Sequence, residues 1–483
     1  IYNLSHMKNL HGIVNVGAAQ RRSLFEIVQS EFNDSVEPCT RSDIAISYIL
    51  PADSSLDTSK YHQLSESSLE QSKTQSTCRI CRSKNLLKYL DLGSTPLANS
   101  YLKKEDLASP EFEEELALQV CLDCGLSQLT KVVNPVLMFK NYLYVSSTTQ
   151  TIRDHWNELA GTAINVAKPS SGDLVLDIAS NDGCLLSKFR EMGMNVVGVD
   201  PAENLAAEAN ASGIRTLCAY WSVNIAQDIV SRFGSPKIIT ATNVFAHVDD
   251  VHEFVDAVDN CMARKGIFII EFPYLIDFIK RNEFDTAYHE HLSYIAILPL
   301  SHLMTMHNLQ VFDVQYFEKI HGGTARIFVC RVNDYPVTKN VETYLRNEEM
   351  FGVKSKLPYE SFSERVLKNK EDLQLLVRRL HEEGKIIWAY GASAKGNTLM
   401  NFFEITSTLV SVVIDDNAKK WGYYTPGARM RITNIEELSE TKVDYLLLLA
   451  WNFQEEIIRR CKAARYRGDY ILPVPKATIV SDK

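Results

Sequence analysis

Residues 174–183, with the sequence LVLDIASNDG, decide the fold class of this chain. An apolar run of strand length ends there in a turn with one glycine, and a helical pattern starts near Cys184. The turn therefore presents backbone amides at the N-terminus of a helix, where they can meet a polar ligand. The next strand ends at Asp200, whose carboxylate can accept hydrogen bonds from both hydroxyls of a ribose. This pattern predicts half of a nucleoside-binding site in a parallel, doubly wound sheet.

The chemistry of the turn indicates which nucleoside it suits. A dinucleotide site needs the spacing G-x-G-x-x-G, so that a pyrophosphate can approach. This turn has one glycine and the acidic Asp182, which repels phosphate. A positively charged sulfonium cofactor without phosphate fits the same geometry, so we predict a site for S-adenosylmethionine. A plain βαβ unit without a cofactor remains the alternative.

The strand that starts at Ile238 adds two polar residues to the same edge. Asn243 and His247 lie just past its carboxyl end, where open α/β sheets bind ligands. His247 can equally be a helix-capping residue ahead of Asp249 and Asp250.

Composition limits the class of protein. A length of 483 residues predicts about three or four domains. The net charge of −9 argues against nucleic acid or an anionic membrane as a partner, and no stretch has the roughly 20 apolar residues of a membrane span. Ten cysteines are too few for a disulfide scaffold, and no leader precedes them, so we expect a cytoplasmic protein. The start at Ile1 is typical of a fragment, a processed product or part of a fusion.

The pattern along the chain predicts separate domains. Residues 66–77 are almost entirely polar and are interpreted as a linker. From Leu174 onward, strand-like runs alternate with helical patterns, and a second alternating block follows after a polar helical stretch. We predict a zinc-binding domain at 78–140, a methyltransferase domain at 141–335, a helical connector at 336–383 and a second Rossmann-like domain at 384–483.

Two cysteine pairs predict a metal site. Cys78 and Cys81 form one C-x-x-C pair, and Cys121 and Cys124 form the other. Two such pairs complete a tetrahedral zinc site, whereas a redox motif needs only one pair. Four cysteine ligands leave no open position, so the zinc is expected to be structural. A nucleic-acid-binding ribbon is the alternative, but the segment between the pairs is acidic.

The densest group of chemically active residues is EFDTAYHEHLSY at 283–294. It places Tyr288, His289, Glu290 and His291 in consecutive positions. Histidine can move a proton near neutral pH, and a nearby carboxylate can raise its basicity, so we predict a proton-transfer site. A metal tract and a surface loop remain open. On a strand, H-x-H would point both imidazoles the same way without the third ligand of a catalytic zinc.

Two glycine-containing turns predict ligand contacts. The sequence GASAKGN at 391–397 follows a buried strand and opens a helix, so Lys395 and the backbone amides can cradle a diphosphate. An ordinary β–α turn is the alternative reading. The turn at His321, Gly322 and Gly323 lets the backbone approach a ligand closely.

Taken together, these motifs resemble the sugar C-methyltransferases of deoxysugar biosynthesis, which act on nucleotide-linked 4-keto-6-deoxy sugars. The resemblance runs from Cys78 to about Pro475. It rests on the cysteine pairs and on NYLYVSS, IASNDG, NVFAHVDD, EFDTAYHEHLSY, HGGT, GASAKGNTLMNF, GYYTPG and LLLLAWNF. The chain departs from the family at Ala179 and Ser180, where many members have Gly-Ser, and at Asp200, where Glu is common.

The resemblance implies a fold and a set of roles. The fold is α/β: a class I methyltransferase Rossmann-like doubly wound sheet, preceded by a small zinc-binding domain and followed by a second Rossmann-like domain that helps hold the nucleotide sugar. The residue matching the family's general base is His291. The implied supporting catalytic residues are Tyr288, Glu290, His247 and Tyr142. The implied cofactor-binding residues are Asp177, Ala179, Asn181, Gly183, Asp200, Pro201, Asn243 and Ala246. The implied substrate-binding residues are Tyr144, His321, Gly322, Gly323, Lys395, Asn397 and Tyr423.

Residues 1–65 lie outside that family. Their pattern looks like the C-terminal tail of a reductase related to dTDP-4-dehydrorhamnose reductase. If so, the chain is part of a reductase–methyltransferase fusion, or associates with such a reductase.

The resemblance implies methylation at C3 of an NDP-4-keto-6-deoxy sugar, with dTDP as the expected nucleotide. His291 removes the C3 proton, Tyr288 stabilises the enolate, and the C3 carbanion takes the methyl group. We expect a monomer with a small-molecule substrate. The rivals are N- or O-methylation of a related sugar, a non-catalytic scaffold of a sugar pathway and a zinc-ribbon nucleic-acid binder.

Overall fold

The computed structural model describes residues 71–139, 150–318, 320 and 322–481. The predictions for residues 1–65 and for Tyr142, Tyr144 and His321 lie outside these residues. From Ser72 onward, the described residues belong to one compact unit. Within them, no helix is both long and apolar enough to span a membrane.

The first domain of the described chain is a small antiparallel β-domain. Its strands are β1 (Ser72–Thr74), β2 (Leu86–Pro96), β3 (Glu113–Cys121), β4 (Ser127–Leu129) and β5 (Lys131–Val133), and helix α1 (Val136–Phe139) follows. β2, β3 and β4 form one sheet, and β1 pairs with β5. β1 lies inside the segment interpreted as a linker. Three polar residues can pair through their backbone although their side chains build no core.

The central domain is a seven-stranded sheet. Its strands are β6 (Leu174–Ile178), β7 (Asn195–Asp200), β8 (Thr216–Cys218), β9 (Ile238–Thr242), β10 (Ile267–Pro273), β12 (Leu309–Phe317) and β13 (Thr324–Arg331), in the order β12-β13-β10-β9-β6-β7-β8. β6 to β10 are parallel, and β13 is antiparallel to both β10 and β12. The parallel strands bring their carboxyl ends to one edge, as the sequence predicts.

Helices cover both faces of this sheet. They are α2 (Gln150–Ala167), α3 (Cys184–Glu191), α4 (Glu203–Ala211), α5 (Val223–Phe233), α6 (Val251–Cys261), α7 (Leu275–Lys280) and α8 (Ile297–Met306). Val175 and Ile238 pack with α2 and α3, whereas Leu176 and Ile239 pack with α5 and α6. Burial on both faces explains why these strands are continuously apolar.

The last domain is a second, mostly parallel sheet. Helices α9 (Lys339–Phe351) and α10 (Leu357–Glu382) lead into it, and Gly352, with φ of +85°, separates the two. Its strands are β14 (Ile387–Tyr390), β15 (Val412–Ile414), β16 (Arg431–Thr433), β17 (Tyr445–Leu448), β18 (Asp469–Leu472) and β19 (Thr478–Val480), in the order β16-β15-β14-β17-β18-β19. Helices α11 (Ala394–Phe402) and α12 (Gln454–Ala463) follow β14 and β17.

One short strand joins the first two domains. β11 (Ser293–Tyr294) ends the 283–294 segment, yet it pairs antiparallel with β4 of the small β-domain, not with the central sheet. The side chains before β11 are therefore fixed at the boundary between these two domains.

Candidate active site and metal centre

The four predicted zinc ligands come together. The sulfurs of Cys78, Cys81, Cys121 and Cys124 all lie within 4.8 Å of one another. Two of the separations are 3.4 Å, for Cys78 and Cys124, and 3.5 Å, for Cys81 and Cys121. A tetrahedral zinc with bonds of about 2.3 Å holds its sulfurs about 3.8 Å apart. The four side chains therefore fit a closed, structural zinc site.

The turn after β6 has an unusual backbone conformation. Ala179 and Asn181 have φ of +59° and +51°, and Gly183, which precedes α3, has φ of +76°. Non-glycine residues with positive φ are uncommon and are concentrated at ligand-binding sites. At Gly183 a Cβ atom would lie 2.9 Å from Ile214, so the turn also needs glycine for space. This conformation directs backbone groups toward the carboxyl edge of the sheet.

Two carboxyl groups support this turn. Asp200 accepts hydrogen bonds from the amides of Asn181 (2.8 Å) and Ala202 (2.9 Å), which ties the end of β7 to the turn and to the start of α4. Asp177 accepts a hydrogen bond of 2.6 Å from the hydroxyl of Thr240. Burial raises the pKa of Asp177 to about 7, and burial also raises the pKa of Asp200. Each Asp200 oxygen keeps a second lone pair, so the carboxylate can still accept a ribose hydroxyl.

The loop after β9 brings Asn243, Ala246 and His247 to the same edge. Asn243 has φ of +55°, and its buried Oδ1 has no hydrogen-bond partner among the residues that the structure describes. Burial lowers the pKa of His247 to about 4, so this imidazole is neutral at physiological pH. The helix-capping alternative for His247 does not hold, because Asp250 caps α6 by accepting from the amides at 252 and 253.

His291 makes the contacts expected of a base. Its Nδ1 lies 2.8 Å from the carbonyl oxygen of Thr286, and its Nε2 lies 2.8 Å from the hydroxyl of Tyr288. A carbonyl only accepts, so Nδ1 carries the hydrogen, and in the neutral ring Nε2 accepts from Tyr288. The rings of His291 and His247 meet edge to face with centroids 4.9 Å apart. The structure therefore presents a basic Nε2 beside a phenol.

The two histidines of the HEH tract point to different surroundings. His289 is buried, and its Nε2 donates to the carbonyl oxygen of Glu114 in the β-domain, 3.1 Å away. The side chain of Glu290 accepts from Asn99, 2.6 Å away. The tract forms a turn and not a strand, so the two imidazoles do not point the same way. The two imidazoles therefore do not form a metal site.

The turn after β14 is built into its neighbours. Ser393 caps α11 by accepting from the amide of Gly396. Asn397 is fully buried and donates to the carbonyl oxygen of Ala98 (2.7 Å), and the hydroxyl of Thr398 donates to the carbonyl oxygen of Ala287 (3.0 Å). Lys395 is half-buried at the start of the helix.

Glu283 was not among the predicted site residues, but the structure brings it into the site. It lines a cleft with Ala246, His291 and Tyr294. Burial raises its pKa to about 7, an effect that the positive charge of Lys395 partly opposes. The sequence showed Glu283 at the start of the dense 283–294 tract, but its pKa depends on burial that the tract does not reveal.

The remaining predicted substrate residues lie at two places. A Cβ at Gly322 would be 2.6 Å from Oε1 of Glu283, so the close backbone approach predicted for this turn is to that carboxyl group. Gly323 has φ of +124° and faces Asp277. Tyr423 is half-buried and precedes Tyr424, which pairs through its backbone with Leu102 of the β-domain.

Comparison with known proteins identifies the family. Three family models match successive parts of the chain: "Putative zinc binding domain" at 78–139, "Methyltransferase domain" at 150–314 and "C-methyltransferase C-terminal domain" at 319–475. C-methyltransferase NovU from Streptomyces niveus is 34% identical over 406 residues, which are 84% of this chain and 96% of that protein. The chain belongs to the S-adenosylmethionine-dependent C-methyltransferases.

Solved methyltransferase structures match a little over a third of this C-methyltransferase. An S-adenosylmethionine-dependent methyltransferase from Clostridium acetobutylicum is 16% identical, with a TM-score of 0.31, over 37% of this chain and 92% of that one. Magnesium protoporphyrin IX methyltransferase from Synechocystis is 13% identical, with a TM-score of 0.29, over 37% and 79%. Neither likeness bears on the substrate.

For this C-methyltransferase, the predicted family, fold class and enzyme class are confirmed. The four-cysteine cluster lies in the matched zinc-binding domain, and S-adenosylmethionine is the cofactor of the fold. The non-catalytic scaffold is thereby excluded. The roles of the individual site residues and the identity of the substrate stay predictions.

Proposed function

We propose that this C-methyltransferase methylates C3 of an NDP-4-keto-6-deoxy sugar, with dTDP as the expected nucleotide. The observation that carries the proposal is the pair formed by His291 and Tyr288, joined at 2.8 Å. The C4 ketone of such a sugar acidifies the C3 hydrogen, and carbon methylation needs a base that removes it.

The tautomer of His291 suits this step. Nδ1–H donates to the carbonyl oxygen of Thr286, which fixes the ring and leaves Nε2 as the proton acceptor. As the C3–H bond breaks, the proton passes to Nε2 and the electron pair moves to the C4 oxygen. Tyr288 then donates to that oxygen in place of Nε2 and stabilises the enolate.

The carboxyl edges of the two sheets hold the two substrates. We infer that Asp200, Asn181 and Asn243 bind S-adenosylmethionine, together with Ala179, Gly183, Pro201 and Ala246. Bound there, the cofactor supplies the electrophilic methyl group that the C3 carbanion takes. Lys395, at the N-terminus of α11, suits the diphosphate of the nucleotide, because both the ammonium group and the helix end attract anions.

Proton removal by His291 and methyl transfer to carbon both fit a small-molecule substrate. The net charge of −9 disfavours nucleic acid as a partner, and the sparse cysteines suit the cytoplasm.

Heavy-water exchange distinguishes this proposal from N- or O-methylation. The enzyme is incubated with a panel of 4-keto sugar nucleotides in heavy water, without methyl donor, and deuterium at C3 is read by mass spectrometry and NMR. Incorporation that needs His291 supports the proposal. If a panel member is methylated but never exchanges at C3, the site of methylation is not that carbon.

A further inference from the structure

Arg79 occupies an unusual position between the two active-site histidines and the metal centre. It lies between the zinc ligands Cys78 and Cys81, and its side chain is completely buried. Its backbone amide donates to Oε1 of Gln128, 3.0 Å away, which fixes it against β4. Burying a guanidinium group is costly unless its surroundings compensate the charge, so the partners of Arg79 indicate what the residue does.

The guanidinium group reaches the residue next to His291. Nη1 of Arg79 donates to the carbonyl oxygen of Leu292, 3.2 Å away. The same oxygen accepts from the amide of Leu129, 3.0 Å away, at the point where β11 joins β4. Arg79 therefore holds the backbone that carries His291 from the side of the β-domain.

The other end of the guanidinium group faces the loop of His247. Nε of Arg79 lies 3.4 Å from Oδ1 of Asp249, and Nζ of Lys73 lies 2.5 Å from Oδ2 of the same carboxylate. The next residue, Ile80, accepts a hydrogen bond of 2.7 Å from Nε2 of His252 on α6. The first cysteine pair is thus docked on the segment that follows His247.

We propose that Arg79 is a positioning residue that fixes His291 relative to His247 and ties both to the zinc centre. The inference rests on the proposed role of His291 as the base. A single buried cation touches the residue after His291 and the residue two positions after His247, while the two rings meet at 4.9 Å. Neither segment can shift against the other without breaking one of these contacts. A misplacement of about 1 Å can cost about 100-fold in rate.

The central test compares Arg79→Met with Arg79→Lys, and with Arg82→Met as the matched control. Arg82 lies in the same cysteine turn, but its side chain is 56% exposed and its nearest carboxylate oxygen, on Asp250, is 3.8 Å away. Each full-length, zinc-loaded protein is assayed for kcat and KM with the 4-keto sugar nucleotide that turns over. S-adenosylmethionine affinity is measured by calorimetry, zinc content by metal analysis, and amide hydrogen exchange is followed across residues 284–295.

We expect Arg79→Met to lower kcat about 10- to 100-fold while KM, S-adenosylmethionine affinity and zinc content stay within about twofold. Exchange across 284–295 should become at least about tenfold faster, because the hydrogen bond from Arg79 to the carbonyl oxygen of Leu292 is lost from this backbone. Arg79→Lys, which keeps a buried cation with a single donor nitrogen, should recover part of the rate. Arg82→Met should match the wild type. Unchanged kcat and unchanged exchange in Arg79→Met would overturn the proposal.

Asp249→Asn keeps the test decisive if Arg79→Met does not fold. This substitution removes the carboxylate partner of Arg79 and leaves the cysteine turn intact. The side chain of Asp249 is 35% exposed, so its replacement is tolerated more easily than that of the buried Arg79. A lower kcat with normal zinc content supports the proposal, and wild-type kcat and exchange contradict it. His291→Asn separates this inference from the proposed function: if that variant still turns over, the base assignment fails, whereas the exchange result still reports on Arg79.

Discussion

The central sheet and the C-terminal sheet both begin with a buried strand, a turn and a helix, but the two turns use their polar groups differently. In the central sheet, the turn at 179–183 is tied to its own domain through Asp200. In the C-terminal sheet, Asn397 and Thr398 contact Ala98 and Ala287, which belong to other parts of the chain. The turn of the central sheet is thus held within its own domain, whereas the turn of the C-terminal sheet is also a docking surface for the β-domain and the 283–294 segment.

From this difference we infer that the two edges bind different ligands. The 283–294 segment lies between them: His291 meets His247 of the central sheet, while Asp285 accepts from Trp451, which follows β17, at 2.7 Å. We therefore expect changes at the first edge to affect the cofactor and changes at the second to affect the nucleotide sugar. Four variants test this division.

The largest effect is expected at His291, between the two edges. His291→Asn removes the proton acceptor, and positioned bases contribute about 10² to 10⁴ in rate, so we expect kcat to fall about 10³-fold. The affinity for S-adenosylmethionine, measured by calorimetry, should not change, because His291 is not one of the proposed cofactor-binding residues. A variant that keeps more than about a tenth of the wild-type turnover would remove His291 from the role of base.

The next effect is expected at the first edge. Asp200→Asn removes a charged acceptor that we place against the ribose, and hydrogen bonds to charged groups contribute about 1.5 to 3 kcal/mol. The Kd for S-adenosylmethionine should rise about tenfold or more, with the KM for the nucleotide sugar nearly unchanged. Titration calorimetry and initial rates measure the two quantities. Equal losses for both ligands would contradict the division between the edges.

At the second edge we expect a smaller effect, which falls on the KM for the nucleotide sugar and not on the affinity for S-adenosylmethionine. Lys395→Met removes one cation from the proposed diphosphate site, so the KM for the nucleotide sugar should rise about tenfold. S-adenosylmethionine affinity should be unchanged, which makes this variant the counterpart of Asp200→Asn. The difference from wild type should shrink at high salt, because screening weakens the lost attraction. If the difference in KM between Lys395→Met and the wild type does not depend on salt, Lys395 does not bind the diphosphate.

The smallest effect concerns Glu283, whose charge opposes that of Lys395. Because burial raises its pKa to about 7, Glu283 is mostly neutral below that pH and ionised above it. Ionisation adds a negative charge near the diphosphate, so the KM for the nucleotide sugar should rise a few-fold as pH passes upward through about 7. Glu283→Gln should flatten this rise. The measurement is the KM of both proteins from pH 6 to pH 8.5, and parallel profiles would exclude Glu283.

Some features of the fold and of the site could be predicted because residues close together in the sequence encode them. The strand of residues 174–178 and the positions of Asn243 and His247 follow from apolar runs and the turns that end them. The spacing of the four cysteines alone predicts a zinc site, and their sulfurs lie within 4.8 Å of one another. The break at Gly352 between α9 and α10 has a signal too, since glycine is typical of a helix end, whereas the polar pattern predicts a helical connector over 336–383.

Other features depend on contacts between residues far apart in the chain. Nothing near His289 and His291 predicts that one contacts the carbonyl of Glu114 while the other contacts Tyr288. The pKa of Glu283 depends on desolvation and on Lys395, more than a hundred positions away.

The sequence by itself determined the strands, the turns, the metal ligands and the kind of chemistry, since each depends on residues within one element or one motif. Only the tertiary structure decided that β11 pairs with β4 of the β-domain and not with the central sheet. It also decided that Arg79 contacts both the segment of His291 and the segment of His247. The physical reason is that burial and partner choice are properties of surfaces that meet after folding. A local pattern shows which groups can react, and the packing of the domains sets where each one points.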